Sequence, residues 1–325
     1  MHILLTGGTG FIGRHLTAYL LEQGHSLTIL TRRSTPDTNT HADEQQRVRY
    51  MQWDAGASLL QEVPVHRPNA AATAWQTELA KAQAVLHLAG EGIFDGRWTD
   101  AVKQRLMDSR VYSTRALVQA MAALDASERP TVFVSASAVG YYGNRFDEET
   151  DESAPAGTNF LAEICVRWEQ ESQQATALGV RVANPRIGIV LGSRGGALER
   201  MALPFRLGLG MPLGSGKQWM PWIHIDDLVR GLAFPLEQPS LQGAYNLAAP
   251  GVVQMLDFSQ ALANALHRPC WSLFSVPEFA LYLVLGEAAE ALTGGQRIVP
   301  KSLLNSGFRF NFPEVSAALH QLLQR

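Results

Sequence analysis

Six residues into the chain a short apolar run stops at Thr6-Gly7-Gly8-Thr9-Gly10-Phe11-Ile12-Gly13, and an amphipathic stretch begins. A glycine cluster between a strand-like run and a helix-like one leaves few folds open, because each glycine has a separate task. Gly7 permits a tight turn, Gly10 lets backbone approach a pyrophosphate, and Gly13 lets helix and strand pack closely. The first N–H groups of the helix lack intrahelical acceptors and face an anion. In that context the motif predicts a dinucleotide site contributed by Gly7, Thr9, Gly10, Phe11, Ile12 and Gly13.

The pattern that follows agrees with it. Apolar runs at 2–6, 26–31, 48–52, 84–88, 131–135 and 180–183 alternate with helical patterns, clearest at 11–23, 100–124 and 159–178. Such alternation means βαβ units, so the expected fold is α/β, a doubly wound parallel Rossmann sheet covered on both faces. Residues 64–75 are polar and Ala-rich and read as a surface insertion. After about 185 glycine and proline cluster at 188–196 and 208–216, then helical patterns follow from Asp226 and at 256–266, 277–292 and 313–323. The expected organisation is a Rossmann domain over 1–185 and a smaller, mostly helical substrate lobe over 186–325, partly interleaved with it.

The second strand ends in Thr31-Arg32-Arg33, where a carboxylate would select NAD by bonding the ribose hydroxyls. Arg32 and Arg33 instead suit a 2′-phosphate and predict NADP(H). A net charge of −3 with scattered basic residues gives no case for nucleic acid or an anionic membrane. Cys165 and Cys270 lie far apart, as for buried thiols in a reducing compartment. The N-terminus lacks a signal-peptide pattern, and the apolar stretch at 279–286 is too short to span a bilayer. A cytoplasmic protein is expected, with a small-molecule substrate as partner and a homodimer left open.

Further landmarks give this reading a family. Trp53-Asp54, His87-Leu88-Ala89-Gly90, Val134-Ser135-Ala136-Ser137, Pro185-Arg186-Ile187-Gly188 and Trp222-Ile223-His224-Ile225-Asp226-Asp227 follow the strands in order. With Gly7-x-x-Gly10-x-x-Gly13, the chain resembles the extended short-chain dehydrogenase/reductase superfamily. More narrowly it resembles its epimerase-family, nucleoside-diphosphate-sugar epimerase-like subgroup, through Leu88-Ala89-Gly90-Glu91, the run 135–143, the loop 208–216, Gly294-Gly295-Gln296-Arg297 and Lys301-Ser302-Leu303-Leu304. The resemblance implies Asp54 near the adenine, Leu88, Ala89 and Gly90 along the cofactor's ribose side, and the stretch from Arg186 to Ile189 beside the nicotinamide.

It also implies a tyrosine acid/base with a lysine four residues later and a serine on the fifth strand, since a free phenol near pKa 10 is a poor base at neutral pH. Ser137 fits the serine. The expected tyrosine position falls within Asn159-Phe160-Leu161-Ala162-Glu163-Ile164-Cys165, which holds neither a tyrosine nor a lysine, and Ser109 or Arg110 replaces the usual asparagine. Tyr141, Tyr142 and Glu91 leave strand ends at the ligand edge and are the substitutes, with Arg110 or Lys103 as a source of positive charge. Gln218, Trp219 and His224 are the substrate-contact candidates. Gly-Ser-Gly-Lys at 214–217 fails the P-loop count, and His224 with Asp226 and Asp227 reads as an acidic helix start rather than a metal site. Three functions stay open: an NADP(H)-dependent oxidoreductase or epimerase on a small polar, nucleotide-sugar-like substrate; a degenerate NADP(H)-binding sensor or structural protein lacking the Tyr-x-x-x-Lys pair; and an interaction protein docking through residues 250–325.

Overall fold

A computed structural model describes residues 1–32, 47–55, 73–193 and 195–324. Its centre is a parallel sheet of β1 (His2–Thr6), β2 (Ser26–Thr31), β3 (Val48–Gln52), β4 (Ala84–His87), β5 (Val132–Ser135), β6 (Arg181–Ile187) and β7 (Gly243–Leu247). Their spatial order is β7-β6-β5-β4-β1-β2-β3, the doubly wound arrangement, with its switch of direction at β1 and β4. Side chains alternate between the two faces, and both faces are buried. Ile3, Leu5, Ile29, Leu86 and Val134 join Leu16 and Leu20 of α1 (Phe11–Glu22) and Leu228 of α6 (Ile225–Glu237). Leu4, Val85, Phe133 and Val182 face Leu117 and Met121 of α3 (Asp100–Ala122). Such strands read as continuous apolar runs, which is why they stand out in the sequence.

β7 is the strand that the periodicity did not reveal. Its sequence Gly-Ala-Tyr-Asn-Leu mixes polar and apolar residues, and the polar ones are satisfied internally. Tyr245 is fully buried and donates its hydroxyl to the Gly231 carbonyl at 3.0 Å. β6 is longer than the expected 180–183, because Ser137 and Ala138 form a second short strand that pairs with Arg186 and Ile187 after β5 has paired as far as Ala183. Pro185, which has no N–H to offer, falls between these two pairings.

Three helical expectations change. The expected insertion at 64–75 lies largely outside the described residues, but α2 (Ala74–Leu79) begins within it, with Trp75 buried 5.8 Å from Trp53. The stretch 159–178 is α4 (Phe160–Gln173) followed by a 3-10 turn. The single helix expected over 277–292 is broken: α8 (Glu278–Leu285) ends at Gly286, whose φ of +62° a helix cannot continue, and a 3-10 turn and a short helix follow. Between these lie α5 (Gly196–Arg206) and α7 (Met255–Ala265), and α9 (Val315–Leu323) ends the described chain. Phe258 of α7 and Leu319 of α9 belong to the same apolar cluster as Leu16 and Leu228, so the C-terminal helices close the sheet's core. Among the described residues, no helix is long and apolar enough to cross a membrane.

Candidate functional site

The glycine turn lies at the C-terminal ends of β1 and β4, and its glycines are sterically required. Gly7 has φ +71°, and a Cβ there would lie 2.8 Å from the Leu88 carbonyl carbon. A Cβ at Gly13 would lie 2.1 Å from the Gly7 oxygen, so α1 can sit this close to the turn only without a side chain. The Gly10 N–H donates to the Gly7 carbonyl at 3.0 Å, and a Cβ on Gly10 would meet nothing else within 4 Å. The chain is therefore closely packed on the inside and bare toward the crevice, as a backbone cradle for pyrophosphate requires. Thr9 is exposed, and its carbonyl accepts from Arg14 at 2.9 Å. Ile12 packs against the core. The Phe11 ring is enclosed by a second glycine loop: a Cβ would come within 2.5 Å of it at Gly192, 3.1 Å at Gly195 and 2.8 Å at Gly196.

A buried polar chain underneath fixes the opposite wall. The Thr6 hydroxyl and His87 Nδ1 are 2.6 Å apart, and His87 Nε2 lies 3.1 Å from Ser113 Oγ. Ser113 Oγ itself donates to the Ser109 carbonyl at 2.7 Å. One arrangement satisfies every member: Thr6 donates to Nδ1, and Nε2–H donates to Ser113. Complete burial, with Arg110 nearby, holds the imidazole down at about 3, so it stays neutral. Thr6 Oγ1 then accepts from the Leu88 and Ala89 N–H groups, both at 3.2 Å, and sets the path of Leu88, Ala89 and Gly90 past the turn. Sequence reasoning quoted His87 only as a landmark. Its signal was a histidine inside an otherwise apolar strand.

Arg32 is exposed just beyond β2, and Asp54 is exposed just beyond β3. Arg33 lies outside the described residues. Ile189 continues the chain past β6, its N–H donating to the Pro221 carbonyl at 2.7 Å. The residues present fit a dinucleotide: a cradle of N–H groups, an apolar wall, and a cation where a 2′-phosphate would lie.

The second half of the crevice holds a buried charged network that sequence reasoning only partly found. Ser137 is 2% exposed and donates its hydroxyl to Glu169 Oε1 at 2.6 Å. Arg186 clasps the same carboxylate through Nε at 2.9 Å and Nη2 at 2.8 Å. It donates through Nη1 to the Tyr142 hydroxyl at 2.9 Å, and that hydroxyl donates to Asn246 Oδ1 at 2.6 Å. The carboxylate and its partners hold the Arg186 charge firmly in place. Burial pushes the Tyr142 phenol up to about 12. Asn246 and Glu152 carry the network to the C-terminal segment, since Glu152 Oε1 accepts from the Asn246 and Ser302 N–H groups at 2.9 and 3.1 Å. Glu169 and Asn246 have no motif of their own; only the fold brings them together.

Of the expected substitutes, Tyr142 is thus buried with both sides of its hydroxyl bonded. Tyr141 is half-buried, its ring 3.4 Å from the Arg186 guanidinium carbon. Cys165, at the end of the stretch where the resemblance puts the tyrosine, is buried among Ser137, Ala138, Glu169 and Arg110, and burial pushes its thiol up to about 11. Glu91 pairs with Arg105 at 3.4 Å. Arg110 donates to the Glu91 carbonyl at 2.8 Å and stacks on Trp168. Lys103 pairs with Glu287 of the C-terminal segment.

Each substrate-contact candidate has partners within the chain. Gln218 donates to the Leu213 and Leu292 carbonyls at 2.9 and 3.1 Å, tying the 208–216 loop to the short helix after α8. Trp219 donates to Asp147 at 2.8 Å and lies beside Arg297. His224 is fully buried, stacked on Phe312 at 3.9 Å, and its Nδ1 accepts from the Asp226 N–H at the start of α6. Asp227, also fully buried, accepts from Arg230 and from the Asn311 and Phe312 N–H groups, each at 2.8 Å. His224 is thus the N-cap of α6 in place of the expected acid, and Asp227 ties the first turn of α6 to residues 311–312.

Known proteins resemble the chain over its length. The model of the NAD dependent epimerase/dehydratase family matches residues 3–248, and a domain of unknown function, DUF1731, matches 276–322. The epimerase family protein YfhF of Bacillus subtilis is 37% identical over 99% of this chain and 98% of its own length. The chloroplastic SDR39U1 homolog of Arabidopsis thaliana is 37% identical over 100% of this chain and 87% of its own. Among solved structures, human epimerase family protein SDR39U1 (isoform 2) with NADPH superposes at TM-score 0.82, with 31% identity and full coverage of both chains. UDP-glucose 4-epimerase of Thermotoga maritima with UDP-glucose, 15% identical with TM-score 0.74 over 100% of this chain and 98% of its own, shares the fold.

Proposed function

The chain belongs to the NAD dependent epimerase/dehydratase family, and from that premise we propose that it binds NADP(H) and holds it without the family's usual proton relay. Cofactor choice rests on Arg32, exposed where a carboxylate would favour NAD, and on the NADPH carried by the human relative. Gly7, Gly10, Gly13 and the first turn of α1 would hold the pyrophosphate, Asp54 the adenine side, Leu88 to Gly90 the ribose, and Arg186 to Ile189 the nicotinamide side. Bound there, the cofactor supplies hydride chemistry.

The observation that carries the second clause is Ser137. In hydride transfer to a carbonyl this hydroxyl must donate to the reacting oxygen, yet here its proton goes to a carboxylate locked by Arg186. Tyr142 cannot replace the missing tyrosine while its phenol stays protonated up to about 12 and hydrogen-bonded on both sides. A sensor or structural role for the cofactor is the function this geometry supports best. One observation favours turnover instead, as an oxidoreductase or epimerase on a small polar, nucleotide-sugar-like substrate: Tyr141 is half-buried against Arg186, one residue from the network.

NADPH-saturated protein challenged with a panel of aldehydes, ketones and uridine-diphosphate sugars separates the two. The proposal expects NADP(H)-induced stabilisation and no cofactor oxidation or sugar epimerisation above background. Turnover that falls in Ser137→Ala or Tyr141→Phe would establish the enzyme reading.

A further inference from the structure

Among the described residues Arg110 is a cation in no ion pair, and it stands beside the crevice. It lies on α3, half-buried, with its guanidinium over the turn that leaves β4: a Cβ on Gly90 would come within 3.1 Å of the guanidinium carbon. The same carbon is 5.4 Å from the centre of the Trp168 ring on α4. Neighbouring carboxylates are committed elsewhere. Glu91 pairs with Arg105 at 3.4 Å, while Glu169 is clasped by Arg186 and accepts from Ser137. The Cys165 thiol beside Arg110, pushed up to about 11 by burial, is neutral at pH 7.

Hydrogen bonds account for part of this side chain. Nη2 donates to the Glu91 carbonyl at 2.8 Å, and Nη1 donates to the Leu106 carbonyl at 3.1 Å and to Ser109 Oγ at 3.4 Å. Ser109 Oγ accepts from the Glu91 N–H at 3.1 Å, so Ser109 and Arg110 together hold both backbone groups of Glu91 and fix the turn. Holding the turn needs one acceptor and one donor, which a neutral amide supplies without burying a charge. The charge is surplus to that role, and so are two of the five guanidinium donors. Three are used, while the Nε–H and one Nη2–H have no partner among the described residues. The four buried side-chain N or O atoms that lack a partner among those residues do not include Nε, which is therefore open to solvent. Two adjacent N–H groups on a planar cation match the two oxygens of a carboxylate.

We propose that Arg110 sets the ligand specificity of the crevice, taking the carboxylate of a small acidic molecule that binds beside Gly90 and Glu91. The inference rests on the reading of this crevice as the NADP(H) site and holds whether or not the cofactor is turned over. Isothermal titration of the full chain, with and without saturating NADPH, tests it. The probes are acetate, pyruvate, succinate, 2-oxoglutarate and glucuronate, each against the corresponding neutral amide, and inorganic phosphate. At least one carboxylate should saturate the protein below roughly 10 mM, with its amide about tenfold weaker or worse. Arg110→Gln keeps a donor for the Glu91 carbonyl and should weaken the carboxylate by about tenfold or more, while NADPH affinity measured alone stays within about threefold. Arg110→Lys keeps the charge without the fork and should fall between the two. Arg105→Gln removes an exposed cation at the same edge and should leave carboxylate binding unchanged. No saturating carboxylate, equal binding of acid and amide, or affinity that survives Arg110→Gln overturns the proposal. So does phosphate binding in preference to every carboxylate, or an Arg110→Gln loss confined to NADPH. If the unaltered chain binds no NADPH yet shows carboxylate binding that depends on Arg110, the cofactor reading falls and this inference stands.

Discussion

Removing the Arg186 guanidinium would leave Glu169 as an uncompensated carboxylate in a site where the two side chains are 5% and 12% exposed. Arg186→Met should therefore cost about 3–5 kcal/mol in urea unfolding, and Arg186→Met with Glu169→Leu should recover most of it, since an apolar pair of similar volume replaces a buried ion pair at little cost. An equal loss in the double variant would mean that the network is not held by this charge pair. Two titrations belong at the same scale. His87 is held down at about 3 when folded against 6.5 unfolded, so between these values the unfolded chain binds the extra proton. That stability is present above pH 6.5 and is lost as pH falls toward 3, at up to ~1.4 kcal/mol per pH unit, and His87→Gln should flatten the acid limb. Tyr142 shifts the other way, from 10 to about 12, so its contribution is full below pH 10 and is lost as pH rises toward 12. Tyr142→Phe should flatten the alkaline limb. An unchanged limb in either variant contradicts the assignment.

At the scale of elements, the β1 turn and α1 are held together by the missing side chain of Gly13. A Cβ 2.1 Å from the Gly7 oxygen must push the helix away from the turn and carry its first N–H groups with it. Gly13→Ala should weaken NADPH binding at least tenfold and lower the melting temperature, read by calorimetry on the same sample. Unchanged affinity would place the cofactor elsewhere. This element was legible in the sequence because steric necessity leaves its mark as glycine. β7 was not legible, because its Tyr245 and Asn246 are buried by hydrogen bonds to Gly231, Tyr142 and Val299 that no local pattern announces. The broken helix at 277–292 was hidden for a similar reason: apolar periodicity runs straight through Gly286, and only its positive φ interrupts the helix.

For the molecule as a whole, the parallel sheet and the glycine turn could be read from strand composition and glycine spacing, which depend on neighbours close in sequence. The network behind the crevice could not, since Ser137, Glu169, Arg186 and Asn246 come from four separate elements and meet only when β5, β6 and β7 lie side by side. In that network the Ser137 hydroxyl donates to Glu169. The claim that precedes all others is cofactor identity, and equilibrium titration with NADPH and NADH, followed by calorimetry, tests it directly. NADPH should bind at least tenfold tighter, and Arg32→Ala should bring the two to near parity, since it removes the partner of the 2′-phosphate. NADH binding as tightly as NADPH, or no heat with either, would contradict the account.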